Sequence, residues 1–185
     1  MLFRSLNSKW GGAVQSFQHV RVHLAEHSSG MFLRSAECLS SFPRIREDIN
    51  KFSLAAKGSE LLLHFLHDTE PNDPIFFLAR EYFECCERGE SSLLFSVFQL
   101  ALLSELGLLP SFEERKDLSF ALHKFLTLNE PLTVKAARNL SSTDERVLTD
   151  LCEHFLHDHL SFPLRSVAAS ASIATNAHTL TRASA

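Results

Sequence analysis

The chain lacks the residue patterns that announce a catalyst. Its 185 residues contain no GxSxG elbow, no HExxH helix, no glycine-rich phosphate loop and no dinucleotide fingerprint. No nucleophile or metal-bound water therefore has a named residue to rest on, and the chain reads as a non-enzyme without cofactor. Cysteine is also sparse. The four present, Cys38, Cys85, Cys86 and Cys152, form no CxxC pair, so neither a zinc knuckle nor a disulfide framework is written into their spacing. A reducing cytoplasm is the simplest compartment for them. Long apolar runs are missing too: no stretch approaches the ~18 residues that a membrane span requires, and the first residues hold Arg4 and Lys9 but no continuous apolar segment of the secretory kind. Membrane insertion and secretion are not expected.

What remains is a chain with 45% hydrophobic residues and a net charge of -4, long enough to bury its own core. The charge is uneven. Residues 1–51 hold seven Lys/Arg and four Asp/Glu, a balance of +3, whereas residues 52–185 hold eleven and eighteen, a balance of -7. A surface that meets phosphates is expected in the first quarter, and the acidic remainder suits protein partners.

Hydrophobic periodicity divides the chain some ten residues earlier, at Ser41–Pro43. From Phe17 to Ala25 apolar and polar residues alternate, setting Val20, Val22 and Leu24 against His19, Arg21 and His23, the pattern of a half-buried strand. Residues 26–30 supply turn chemistry, and Met31–Ala36 returns as a second strand of a hairpin. After Ser41-Phe42-Pro43 the period becomes helical. Ile45, Ile49, Phe52, Ala56, Leu63 and Leu66 share one helix face by spacing, with Pro43 in a first turn and Ser41 as its cap. Asp73-Pro74 caps and starts another helix that runs through Phe83 towards Gly89.

Residues 91–106 are apolar nearly all round, which predicts the central helix of a bundle, closed by Gly107. Further helices are predicted at 117–128 and 142–160, the latter opened by a capping box at Ser142–Glu145, with a short helix between Pro131 and Asn139. Beyond Ser166 the chain is rich in Ala, Ser and Thr and poor in large apolar side chains, which predicts a disordered tail.

Three segments resemble the RecO family of recombination mediators. The run AVQSF at 13–17, followed by a hairpin ending in LRSAE at 33–37, is similar to the last strands of the family's oligonucleotide-binding barrel. Residues 98–112, FQLALLSELGLLPSF, resemble the central helix of its helical domain, and Phe155–Ser166 resembles its closing segment. The resemblance implies a mainly α fold: a remnant of the N-terminal barrel at 1–41, a helical RecO-like bundle at 42–166 and the tail at 167–185. The sequence departs from the family in that the family's barrel begins some three strands earlier than Met1 does here, so that either the true start lies further upstream or the chain keeps only the helical domain and a remnant hairpin. Functionally the resemblance implies a bacterial cytoplasmic, nucleoid-associated protein of DNA repair, DNA damage response and DNA recombination. Such a protein binds single- and double-stranded DNA, anneals strands, and works with RecR to load RecA on strands coated by single-stranded DNA-binding protein. The sequence departs from the family pattern in two further ways. Ser111 to Lys116, just after the central helix, contain no cysteine, so no zinc is inferred, and Ser96 and Val97 stand where arginine often precedes the central Phe.

The candidate nucleic-acid contacts are Arg4, Lys9, Arg21 and Arg34, cations as phosphate requires, against the plain alternative of a solvated strand face. Trp10 and Phe17 are candidate stacking surfaces or simple packing residues. Phe98, Leu102 and Leu106 lie along one helix ridge and could line a groove for a partner's tail, against core packing. Cys152, His154, His157 and His159 have metal-ligand chemistry but a spacing that does not bring all four to one ion, so no metal site is assigned. His64 and His67 repeat the three-residue step with no third ligand nearby. A rival function is a helical protein–protein adaptor that has lost DNA binding.

Overall fold

The switch from strand period to helix period falls at Ser41, and the computed structural model changes element type there. It describes residues 15–28, 30–66, 71–89, 93–109, 112, 118–127 and 140–159. Trp10, Arg4, Lys9, His67, the predicted helix at 131–139 and the predicted tail lie outside them. Among the described residues an antiparallel hairpin, β1 (Gln18–His27) and β2 (Gly30–Ser41), precedes six helices: α1 (Pro43–Glu47), α2 (Ile49–Phe65), α3 (Asp73–Arg88), α4 (Leu94–Glu105), α5 (Phe120–Thr127) and α6 (Ser142–His159). The architecture is mainly helical, as expected.

The core is organised by α4. Nine of its residues are buried, Leu94 and the run Ser96–Leu103, and the helix packs against α2, α3 and α6. Its apolar surface all round explains that position, since no face of the helix gains by meeting water. Gly107 ends it with φ 69°. In that left-handed turn Leu108 N–H donates to the Leu103 carbonyl at 2.8 Å and Gly107 N–H to Ser104 at 3.0 Å, satisfying carbonyls the helix would leave orphaned.

Between Phe42 and Phe65 the periodicity misleads twice. The apolar pattern reads as one helix, yet Asp48 is extended (φ -117°, ψ 119°) and its carboxylate accepts from the amides of Asn50 at 2.8 Å and Lys51 at 3.3 Å. A strong capping residue inside the pattern starts a new helix. The start of α1 is capped from a distant part of the chain. Ser41 does not serve; instead the Glu87 carboxylate, from α3, accepts from Arg44 N–H at 3.2 Å and Ile45 N–H at 3.0 Å.

The second correction concerns which face of α2 is inside. Ile45 is fully buried, but Ile49, Phe52, Leu63 and Leu66 are exposed, Leu63 by 82%. The buried side carries Ala55, Gly58 and Leu61. Small residues win because they admit α3 closely: a Cβ at position 58 would overlap the Tyr82 ring. Tyr82 donates its hydroxyl to the Leu54 carbonyl at 2.5 Å and stacks on Phe98 with ring centroids 4.1 Å apart. Burial pushes the Tyr82 hydroxyl far above its ordinary value and the neighbouring Cys86 thiol up to about 12.

Two caps sit one residue before their predicted places. Asn72, not Asp73, caps α3 by accepting from Ile75 N–H at 3.0 Å. The capping box of α6 is Ser141 with Asp144: the Ser141 hydroxyl accepts from the Asp144 amide at 3.2 Å, and the Asp144 carboxylate accepts from Ser141 N–H at 3.2 Å and its hydroxyl at 2.7 Å. Ser119, which caps α5 through Leu122 N–H at 3.1 Å, also bonds Asp144. The hydrogen bonds from Ser119 and Ser141 together hold this carboxyl below the usual carboxylate range.

Candidate nucleic-acid interface

In a strand, neighbouring side chains point to opposite faces, and β1 keeps this alternation unbroken. Its pairing with β2 runs from Gln18 opposite Ser41 to His27 opposite Gly30, with register shifts between His19 and Val20 and between His23 and Leu24. Both extra residues fall on β2, where Leu39 and Arg34 have no partner across the ladder. Such bulges increase the local twist and re-aim side chains. One hairpin face therefore carries His19, Arg21, His23, Ala25 and His27 with Glu37, Ser35 and Phe32 opposite. The other carries Val20, Val22, Leu24 and Glu26 with Cys38, Ala36, Leu33 and Met31 opposite.

The second face was expected to be half-buried. Val22, Leu24 and Met31 are instead exposed, by 48%, 53% and 58%. The reason is positional: the hairpin meets the bundle at its base, so burial fades along β1 after Val20.

At that base the attachment is dense. Phe17 adopts φ 56°, a left-handed conformation that costs a bulky residue on the order of 1–3 kcal/mol and requires compensation. Its ring lies edge-on to Phe52 at 5.4 Å and against Phe83 at 5.8 Å. Its carbonyl accepts from Phe42 N–H at 3.3 Å, and the Arg46 guanidinium donates to the Ser16 carbonyl at 3.3 Å. Phe42 itself is buried. Glu87 adds the cap on α1, and Lys51 donates to the Glu87 carbonyl at 2.8 Å. Phe17, weighed between stacking and packing, is a packing residue here.

Of the four predicted phosphate contacts, Arg21 and Arg34 are described, and both are exposed. Arg21 pairs across the ladder with Glu37 at 3.2 Å, both side chains open to water. An ion pair so exposed contributes little, about 0–1 kcal/mol, and leaves the guanidinium reachable. Arg34 occupies the bulge. The structure therefore does not gather the two into one clamp; they stand at different heights of the same hairpin.

The predicted partner ridge divides. Phe98 and Leu102 are in the core, 2% and 0% exposed, while Leu106 is half-buried. The first two side chains pack rather than face solvent. Among the described residues no group of three or more His, Cys, Asp or Glu is gathered as for a metal ion. Cys152 is buried with its thiol donating to the Ser96 carbonyl at 3.6 Å, and burial pushes it up to about 12. His154 is exposed, and the side chains of His157 and His159 lie outside the described residues.

Sequence reasoning missed the aromatic companions of the histidine face. Phe76 of α3 meets His19 with ring centroids 5.5 Å apart, and Phe32 meets His27 at 6.1 Å. The four-residue recurrence of His19, His23 and His27 in an alternating strand was the available signal. Nothing local points to Phe76, 57 positions from His19.

These features define a class: a helical domain built around one apolar helix and carrying a β-hairpin with an exposed polar, ring-bearing face. The family model described as recombination protein O C terminal matches residues 46–120, from the end of α1 to the start of α5. Proteins named DNA repair protein RecO align with the chain: that of Pelotomaculum thermopropionicum is 28% identical over 57% of this chain and 41% of its own length. The Geobacter metallireducens protein is 30% identical over 44% and 34%, and that of Desulforamulus reducens is 32% identical over 56% and 41%. No solved structure matches. The chain is thus similar to the RecO family over residues 46–120, and the matched part spans less than half the length of these relatives.

Proposed function

We propose that the chain acts in recombinational DNA repair as a mediator without bond chemistry. It binds single- and double-stranded DNA, anneals complementary strands and, with RecR, helps place RecA on strands coated by single-stranded DNA-binding protein. The observation that carries this reading is the coincidence of the family match with the α4-centred bundle, in a chain aligned to proteins named for DNA repair. We further propose a division at Ser41/Pro43 into a DNA-facing β unit at 1–41 and a helical unit at 42–166, supported by the change of element type there. Arg21 and Arg34, with Arg4 and Lys9, are the proposed phosphate contacts, and Leu106 is the member of the partner ridge with surface to offer. No helix among the described residues is long and apolar enough to cross a membrane, in keeping with a proposed place in the cytoplasm beside the nucleoid.

One observation favours the adaptor alternative: the bundle side of the chain carries the balance of -7, which repels a polyanion. Fluorescence anisotropy with a labelled single-stranded oligonucleotide, titrated over salt, separates the two. The mediator reading expects binding that weakens steeply with salt and is lost when Arg4, Lys9, Arg21 and Arg34 are changed to alanine. Absence of binding at low salt sinks that reading and leaves the adaptor.

A further inference from the structure

We propose that the histidine face of the hairpin, extended at its base by Phe76 of α3, is a stacking track for single-stranded nucleic acid. The proposal rests on the DNA-binding part of the function above and assigns it a surface. His19, His23 and His27 share one face of β1 with Arg21, spread over about 27 Å of strand. Aromatic rings stand at both ends of the row: Phe32 beside His27, and Phe76 beside His19. Phe32 and Phe76 are 48% and 49% exposed, although each could have been spared that exposure by a smaller residue.

The chemistry of the two hairpin faces selects the occupant. The opposite face is aliphatic, with Val22, Leu24 and Met31 outermost, and offers no ring on which a base could stack. The histidine face offers imidazoles and phenyl rings at intervals, which every base accepts because every base has a π surface. Its charge is also right for a polyanion. Arg21 and the bulged Arg34 stand on or beside it, and its one carboxylate, Glu37, is already engaged by Arg21. A double helix, whose bases are stacked on one another, presents no free π surface to such a row, so single strands are the ligand.

The test uses the full chain and a labelled oligothymidylate, with Phe32→Ala, the double change His23→Ala/His27→Ala, and Phe76→Ala, against Val22→Thr on the aliphatic face. All these positions other than Phe76 are on the exposed hairpin, and circular dichroism checks each fold. Each stacking ring removed should weaken binding roughly tenfold, with Val22→Thr unchanged. An oligonucleotide carrying 5-iodouracil should crosslink, on irradiation, to peptides containing Phe32, His23, His27 or Phe76. If the parent chain binds but the ring variants bind equally well, or crosslinks map only to other helices, the track is wrong while DNA binding stands. If the parent chain fails to bind, both the track and the DNA-binding reading fall.

Discussion

The hairpin and the α4 helix are both rich in large apolar side chains, and they use them in opposite ways. In α4 all but Phe95, Ser104 and Glu105 are buried, so each leucine removed from water contributes about 1.5–3 kcal/mol. In the hairpin Val22, Leu24, Met31, Phe32 and Leu39 remain exposed. A two-stranded ribbon is marginal alone in water, so its stability is borrowed through Phe17, Phe42 and Glu87 at the base. One element buries its apolar side chains in the core, and the other leaves its own facing water. The sharpest way to break the comparison is Leu102→Ala, which should cost about 3 kcal/mol by urea denaturation because it opens a cavity in a filled core. Leu24→Ala should cost under about 0.5 kcal/mol, as exposed substitutions do. Equal losses would mean the hairpin face is covered.

The join between the two regions should show an intermediate effect. Glu87→Ala leaves the amides of Arg44 and Ile45 without their acceptor, and loss of a cap costs about 1–2 kcal/mol. Hydrogen exchange should quicken at those two amides and through Phe42, with α4 unchanged. The core carries its own pH signature. Folded-state thiol values raised from 9.0 to about 12 at Cys86 and Cys152 mean that the native state holds its protons more tightly than the unfolded chain. Their contribution is complete below pH 9 and is lost as pH rises towards 12. The urea midpoint should fall through that window, and less steeply in Cys152→Ala; a flat profile would show the thiols to be accessible. Exposed Cys38 should react with a thiol reagent at neutral pH well before the other three.

Much of this arrangement is legible in the sequence, and the unread part has physical causes. Alternation and period marked the hairpin, α3, α4 and the break at Ser41 because each signal is local. The inside face of α2 was not legible, since large apolar residues lie on both sides of that helix and the choice between them was made by Tyr82, which requires Gly58 and Ala55 beneath it. Nor was the cap on α1, supplied by Glu87 from 42 or more positions away. At the candidate site Arg21 and its two histidine neighbours followed from alternation, whereas the Arg34 bulge and the Phe76 contact depended on register and tertiary packing. Phe98 and Leu102 shared a ridge as expected, but a ridge on an all-apolar helix says nothing about which part stays outside.

Gln99 makes a finer comparison inside the core. It is fully buried on α4, its Nε2 donates to the Cys152 carbonyl at 2.6 Å, and its Oε1 has no hydrogen-bond partner among the described residues. An orphan buried acceptor costs about 1–3 kcal/mol, which offsets the bond the other end makes. Gln99→Leu should therefore change stability by less than about 1 kcal/mol, in either direction, although the residue is as deeply buried as Leu102. A loss as large as that of Leu102→Ala would show that the polar contact to α6 dominates.

The smallest expected effect on stability is also the most informative about the surface. Arg21 and Glu37 face each other across the hairpin with both side chains open to water, so Glu37→Gln should shift the unfolding midpoint by no more than about 0.5 kcal/mol. Its effect on nucleic acid should be larger. Removing the carboxylate releases the Arg21 guanidinium from its partner and deletes a negative charge from the histidine face. Binding to a single strand should tighten, and the dependence of log affinity on log salt should steepen by up to about 0.7 for one additional phosphate neutralised. A variant of unchanged stability, affinity and salt slope would mean that Arg21 does not meet phosphate, and the phosphate path would then have to be sought at Arg34.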